Sequence, residues 1–172
     1  MSLEINIDKN LEIEEAYKLL FLQIENLINS NDPIITNLSN ITAALKQTFV
    51  KISWVGFYLI KNNILYLGPF QGKVACTKIE IGKGVCGKSA ETKLIQVVPN
   101  VHEFPGHIAC DIETNSEIVI PLMKENNVLG VLDLDSKEFS SFDETDKFWL
   151  EKICKLIVEK LELNQFKIDQ LL

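Results

Sequence analysis

The sequence predicts an α+β domain, a central antiparallel sheet with N- and C-terminal helices packed on one face. Three patterns carry that prediction. Two amphipathic helical runs open the chain, β-branched and aromatic runs separated by turn signals fill its middle, and a third helical run closes it. The 172 residues are 47% apolar, enough for one domain around one core. The expected division of this single domain (1–172) is N-terminal helices over 1–50, sheet and active-site loops over 51–136, and a C-terminal helix over 143–171.

Each element has its own signal. Ile13, Ala16, Tyr17, Leu20, Ile24, Leu27 and Ile28 recur at helical spacing within 12–29. Asp32-Pro33 reads as an N-cap and first-turn proline for a second helix, whose apolar face is Ile34, Leu38, Ile41, Leu45 and Phe49. Residues 52–60 are β-branched and aromatic and read as a strand. Asn62-Asn63 turns it into a second strand from Ile64 to Leu67. A short strand is expected around Thr77–Ile81, a short helix over Lys88–Thr92 and a brief strand over Ile95–Val98. Residues 100–115 lack periodicity and read as a long functional loop. Ser116–Met123 and Val128–Asp135 form a hairpin across Glu125-Asn126-Asn127. Asp143, with Asp146 three residues on, caps a last helix whose buried stripe is Leu150, Ile153, Cys154, Ile157 and Leu161.

The formal charge is −7, and all 17 basic residues are lysine. That argues against nucleic-acid binding, which uses basic patches and arginine forks. No basic and apolar leader opens the chain and no apolar run approaches a membrane span, so a cytoplasmic protein without membrane contact is expected. In that compartment the four cysteines read as reduced or catalytic thiols, not a disulfide scaffold.

Cys76, Cys86 and Cys110 lie beside glycines, charged residues or a histidine, where turns leave side chains partly exposed. His107, three residues before Cys110, is a candidate to lower its pKa and make it a thiolate nucleophile. A second thiol in a movable glycine-containing loop, Cys76 or Cys86, would condense with the resulting sulfenic acid. Zinc held by Cys76, Cys86, Cys110, His102 and His107 is the competing reading. No Cys-x-x-Cys or tight histidine pair supports it. Cys154 belongs to the core.

Two further groups complete the candidate site. Strand alternation sends Leu132 and Leu134 to one face and Asp133 and Asp135 to the other, and Glu117 begins the partner strand. Three crowded carboxylates would hold an ammonium group, and one with a raised pKa would deliver a proton. A solvated sheet face accounts for the same pattern equally well. Trp54, Gly56 and Tyr58 share a face, with the glycine leaving a gap between two rings. A pocket wall fits that arrangement, as does ordinary core packing.

Six ordered runs carry a resemblance. They are Trp54-Val55-Gly56-Phe57-Tyr58, Leu67-Gly68-Pro69-Phe70-Gln71-Gly72, Gly84-Val85-Cys86-Gly87, residues 101–111 with His107 and Cys110, Asn115-Ser116-Glu117-Ile118-Val119, and residues 130–136 with Asp133 and Asp135. Together they resemble the GAF-domain free methionine-(R)-sulfoxide reductases over residues 40–160. The resemblance implies a GAF fold with a ligand pocket on the face opposite the helices. It implies reduction of free methionine-(R)-S-oxide, with thioredoxin returning electrons and with no metal or organic cofactor. By motif position Cys110 matches the catalytic cysteine and Cys76 and Cys86 the auxiliary ones. Trp54, Tyr58, Glu117, Asp133 and Asp135 match pocket residues. A homodimer is also implied. The alternative is a GAF module that binds a small molecule or senses thiol redox state without turnover.

Overall fold

The computed structural model describes residues 7–8, 10–108 and 111–172. Helices α1 (Ile13–Leu27) and α2 (Ile34–Thr48) lead into strands β1 (Trp54–Lys61), β2 (Ile64–Gln71) and β3 (Lys78–Glu80). Helix α3 (Gly84–Thr92), strand β4 (Gln96–Val98) and a 3-10 turn at Val101–Glu103 follow. Then come β5 (Ser116–Lys124), β6 (Asn127–Ser136), α4 (Glu144–Lys160) and α5 (Gln165–Asp169). Six strands form one sheet in the order β3-β2-β1-β6-β5-β4, and every pairing is antiparallel.

Strand alternation divides the molecule. Val55, Phe57 and Leu59 of β1, Ile118, Ile120 and Leu122 of β5, and Leu132 and Leu134 of β6 join one apolar core with α1, α2 and α4. The intervening Trp54 and Tyr58, Val119 and Val131 point to the opposite face. There they pack with Leu65 and Ile79 and with Val85, Cys86 and Ala90 of α3. The N- and C-terminal helices therefore cover one face, as expected, and α3 with its loops covers the other.

Turn chemistry fixes the register. Asn62 and Asn63 both hold positive φ, 51° and 61°, the conformation a two-residue hairpin of this hand needs. At α4, Asp143 accepts from the backbone N–H of Thr145 and Asp146, and the Asp146 side chain accepts from the Asp143 N–H, a complete capping box. Asp146 is fully buried and also accepts from the Tyr17 hydroxyl at 2.7 Å and pairs with Lys51 at 2.7 Å. One carboxylate thus joins the start of α4 to α1 and to the approach to β1.

Four expectations are corrected. Asp32 does not cap α2. Its carboxylate accepts from the Asn29 side chain, while Asn37 exchanges hydrogen bonds with the Asn29 backbone and shapes that turn. Strand β2 runs to Gln71, past Gly68 and Pro69, because its partner β1 keeps pairing through Val55. The C-terminal helix is broken after Lys160. Glu162 takes φ of 48°, and α5 begins separately at Gln165. Helix α3 starts at Gly84, four residues early, so Cys86 lies in a helix and not in a movable loop. Gly87 makes the close approach possible, since a Cβ there would come within 2.4 Å of the Glu80 carbonyl oxygen.

Candidate active site

The pocket lies on the α3 face of the sheet. Its floor comes from three adjacent strands. Across β1 and β6, Trp54 pairs with Asp135 and Gly56 with Asp133; across β5 and β6, Glu117 pairs with Asp135 and Val119 with Asp133. This register gathers Glu117, Asp133 and Asp135 under a wall formed by Trp54 and Tyr58. Gly84, Val85 and Cys86 of α3 close one side, and Val74, Ala75, His107, Ile108, Asp111 and Thr114 cover the top. The cavity is about 40 Å³.

The acids are not a solvated face. Glu117 and Asp133 are 6% and 7% exposed, and Asp135 is largely covered. Burial pushes all three carboxyls up. Asp133 is raised to about 6, held from going further by hydrogen bonds from Cys86 and Glu117. Burial and then the charge of Asp133 drive Glu117 well above the usual carboxylate range. Asp135 is raised by burial, Asp133 and Asp111, and Thr114 offsets part of this by hydrogen bonding. Asp133 is therefore the first of the three to ionise, and Glu117 hydrogen-bonds to it. The other Asp133 oxygen, Oδ1, is buried without a hydrogen-bond partner among the described residues. An orphaned buried carboxylate oxygen is costly and calls for a cationic or donating ligand.

The aromatic wall is tighter than the sequence suggests. Trp54 and Tyr58 lie 6.1 Å apart, centroid to centroid, and Trp54 stacks on Phe70 at 5.5 Å. The Trp54 ring lies across Gly56, where a Cβ would sit 2.4 Å from the ring edge. The glycine thus seats the indole and does not leave a gap. Trp54 Nε1 donates to the Lys73 carbonyl at 2.9 Å, and the Tyr58 hydroxyl donates to the Cys76 carbonyl at 3.0 Å. The wall therefore anchors the loop that carries Cys76.

Residues 33–161 match the GAF domain family. The chain is 47% identical over 161 residues to the free methionine-R-sulfoxide reductase of Saccharomyces cerevisiae, covering 89% of each chain. It is 39% identical over 153 residues to the Escherichia coli enzyme of the same name, covering 89% of this chain and 93% of that one. It superposes on the Neisseria meningitidis free methionine-R-sulfoxide reductase, solved in complex with its substrate, with a TM-score of 0.85 and 36% identity over 99% of both chains. The chain belongs to the GAF-domain free methionine-R-sulfoxide reductase family.

Set against that family, the expected site residues fall as follows. Trp54, Tyr58, Glu117, Asp133, Asp135 and Cys86 all line one pocket. Cys76 is disulfide-bonded and partly exposed, beside the pocket residues Val74 and Ala75. Cys110 lies outside the described residues. Cys86, expected in an exposed turn, is 3% exposed, with its thiol 4.0 Å from Glu117 Oε1. Burial first, and then Asp133 and Glu117, push that thiol up. It is no ready nucleophile.

His107 does not supply an imidazolium. Burial, and then the neighbouring His102, lower its pKa below 6.5, so the ring is neutral at pH 7. Its Nε2 stands 3.9 Å from Glu117 Oε2. The zinc set of the competing reading is not gathered among the described residues, because Cys76 is in a disulfide and His102 bonds Asn115 at 3.0 Å. Phe70, Ile79 and Thr114 escaped the sequence reading. Phe70 alone had a signal, as the apolar residue after Gly68-Pro69 in a strand that continues through both.

Proposed function

We propose that the protein reduces free methionine-(R)-S-oxide to methionine by thiol chemistry, and that a thioredoxin-type dithiol recycles it. In this reading Cys110 attacks the sulfoxide sulfur as a thiolate. The sulfoxide oxygen passes to the cysteine, methionine leaves, and Cys110 is left as a sulfenic acid. Glu117 supplies the proton that the sulfoxide oxygen needs as it develops negative charge. Burial and the neighbouring Asp133 raise its pKa, which suits a proton donor, and its carboxylate lies 4.0 Å from the Cys86 thiol inside the pocket. The Cys76 thiol then condenses with the sulfenic acid, releasing water and closing a disulfide. An external dithiol delivers two electrons and two protons to reopen it.

The supporting observation is the juxtaposition of Cys76, already disulfide-bonded, with a pocket whose floor is acidic and whose wall is aromatic. The Asp133 and Asp135 carboxylates suit a free ammonium group, and Trp54 and Tyr58 suit the S-methyl end. A peptide nitrogen carries no charge and would leave the acids uncompensated, so the reading excludes peptide-bound sulfoxide. Cys76 is the better resolving thiol, since Cys86 is fixed in α3.

A cavity of about 40 Å³ is small for an amino acid, so the covering loops are expected to shift as it binds. Lys73 ties those loops together through Asp111 at 3.1 Å and through Glu113. Both pairs are exposed and weak enough to yield. Thioredoxin-coupled turnover of the separate R and S forms of free methionine sulfoxide, beside a sulfoxide-containing peptide, tests the proposal. Activity on the free R form alone is expected. Equal rates on the peptide would refute the ammonium argument, and no turnover with any substrate would favour a sensor module.

A further inference from the structure

Cys86 has no part in the reaction proposed above, yet it is a free thiol facing the acid cluster. Its Sγ, a Glu117 carboxylate oxygen and an Asp133 carboxylate oxygen all lie within 4.8 Å of one another, and all three residues are buried. Asp133 Oδ1 has no hydrogen-bond partner among the described residues, in a residue only 7% exposed. The neutral imidazole of His107 reaches within 3.9 Å of the second Glu117 oxygen. The three inner donors stand on α3, β5 and β6, which fixes them, and His107 comes from the covering loop.

We propose that Cys86, Glu117 and Asp133 form a three-ligand zinc site inside the pocket, with the fourth position left to water. A thiolate and two carboxylates make a mixed S, O donor set that suits zinc and not the hard, all-oxygen cations magnesium and calcium. Zinc bonds of about 2.0–2.3 Å require the donors to draw together by about 1 Å, within the reach of side-chain rotation. A dication also answers two costs at once, the crowding of buried acids and the orphaned Asp133 oxygen. Zinc and the substrate ammonium then compete for the same carboxylates, a consequence that rests on the functional reading above; the metal site itself does not.

The test is calorimetric titration of zinc chloride into the full chain with its disulfide intact and no reductant or chelator present. In that state Cys76 is blocked and Cys154 lies on the other face, so Cys86 is the pocket thiol among the described residues. One zinc per chain is expected, with magnesium chloride giving no binding. Cys86→Ser and Asp133→Asn are each expected to weaken zinc by about tenfold or more. Two variants are used so that misfolding at one position does not decide the outcome. X-ray absorption of the zinc form is expected to show one sulfur at about 2.3 Å. The proposal is overturned by absent stoichiometric binding, by a sulfur-free shell, or by unchanged affinity in both variants. Free methionine sulfoxide is then added to the zinc form. Displacement supports competition, and its absence refutes competition while leaving the metal site standing.

Discussion

On β6, Leu132 and Leu134 enter the apolar core, while Asp133 and the next odd-numbered residue, Asp135, enter the pocket from the same strand. Both faces exclude water, but they do so to opposite ends. Under the helices the core side chains find apolar partners, and the buried Asp146 is held by Tyr17 and Lys51, so burial stabilises the fold at roughly 25 cal/mol per Å² of apolar surface. Under α3 the same backbone buries three carboxylates and a thiol, each of which costs stability when charged. The difference teaches that the second face is arranged for a ligand. Cys86, Glu117 and Thr114 relieve part of the cost by hydrogen bonding, and a cationic or donating ligand would relieve more.

The largest expected effect belongs to the pocket face. Cys110→Ser is expected to abolish even one turnover, because a hydroxyl at its ordinary pKa cannot replace a thiolate. Cys76→Ser is expected to release one methionine per chain and then stall as a sulfenic acid, visible by mass spectrometry after one equivalent of substrate. A stoichiometric burst from Cys110→Ser would move the nucleophile elsewhere. Next comes Glu117→Gln, expected to lower kcat by about 10²–10⁴-fold while the melting temperature holds or rises. Full activity in this variant would remove Glu117 as the proton donor.

The core face is expected to behave in the reverse sense. Leu134→Ala should cost about 2–5 kcal/mol in denaturant unfolding, with kcat retained in the fraction that stays folded. Asp133→Asn should instead raise the melting temperature at pH 7. The sign follows from its pKa. The folded-state value, about 6, lies above the ordinary 3.8, so ionisation weakens the fold as pH rises through that window. The advantage of Asp133→Asn should therefore vanish below pH 4. A lower melting temperature at pH 7 would mean that the acid cluster supports the fold.

How much of this was legible in the sequence differs between the faces for a physical reason. The apolar core was readable because periodicity reports directly which residues share a face, and Leu132, Leu134, Ile153 and Ile157 all lie where their spacing put them. The alternation also separated Asp133 from Leu132 correctly. Whether those acids were wet or buried depended on what covers them, and α3 arrives from a distant part of the chain. The early start of α3 was hidden by its glycines, Gly84 and Gly87, which read as loop when local propensity is weighed alone. Cys86 was misplaced with them. Cys76 and His107 act through loop geometry, for which spacing gives no periodic signal.

The smallest expected effect compares the two buried free thiols, Cys86 at 3% exposure and Cys154 at 2%. Burial is the leading cause that raises each of them above an ordinary thiol. Their neighbours differ. Cys86 faces Asp133 and Glu117, whereas Cys154 sits on the core stripe of α4 between Leu150 and Ile157. Cys154→Ser buries a hydroxyl among apolar side chains, a cost of about 1–3 kcal/mol if it stays unsatisfied. In a helix that hydroxyl can turn back to the carbonyl four residues earlier, here that of Leu150, which brings the loss to about 1 kcal/mol. For a chain of this size that is a fall of roughly 2–4 °C in melting temperature. Turnover and zinc affinity should both match the wild type. A loss of either in Cys154→Ser, with the melting temperature inside that range, would mean that the two faces are coupled through α4 and the strands it covers.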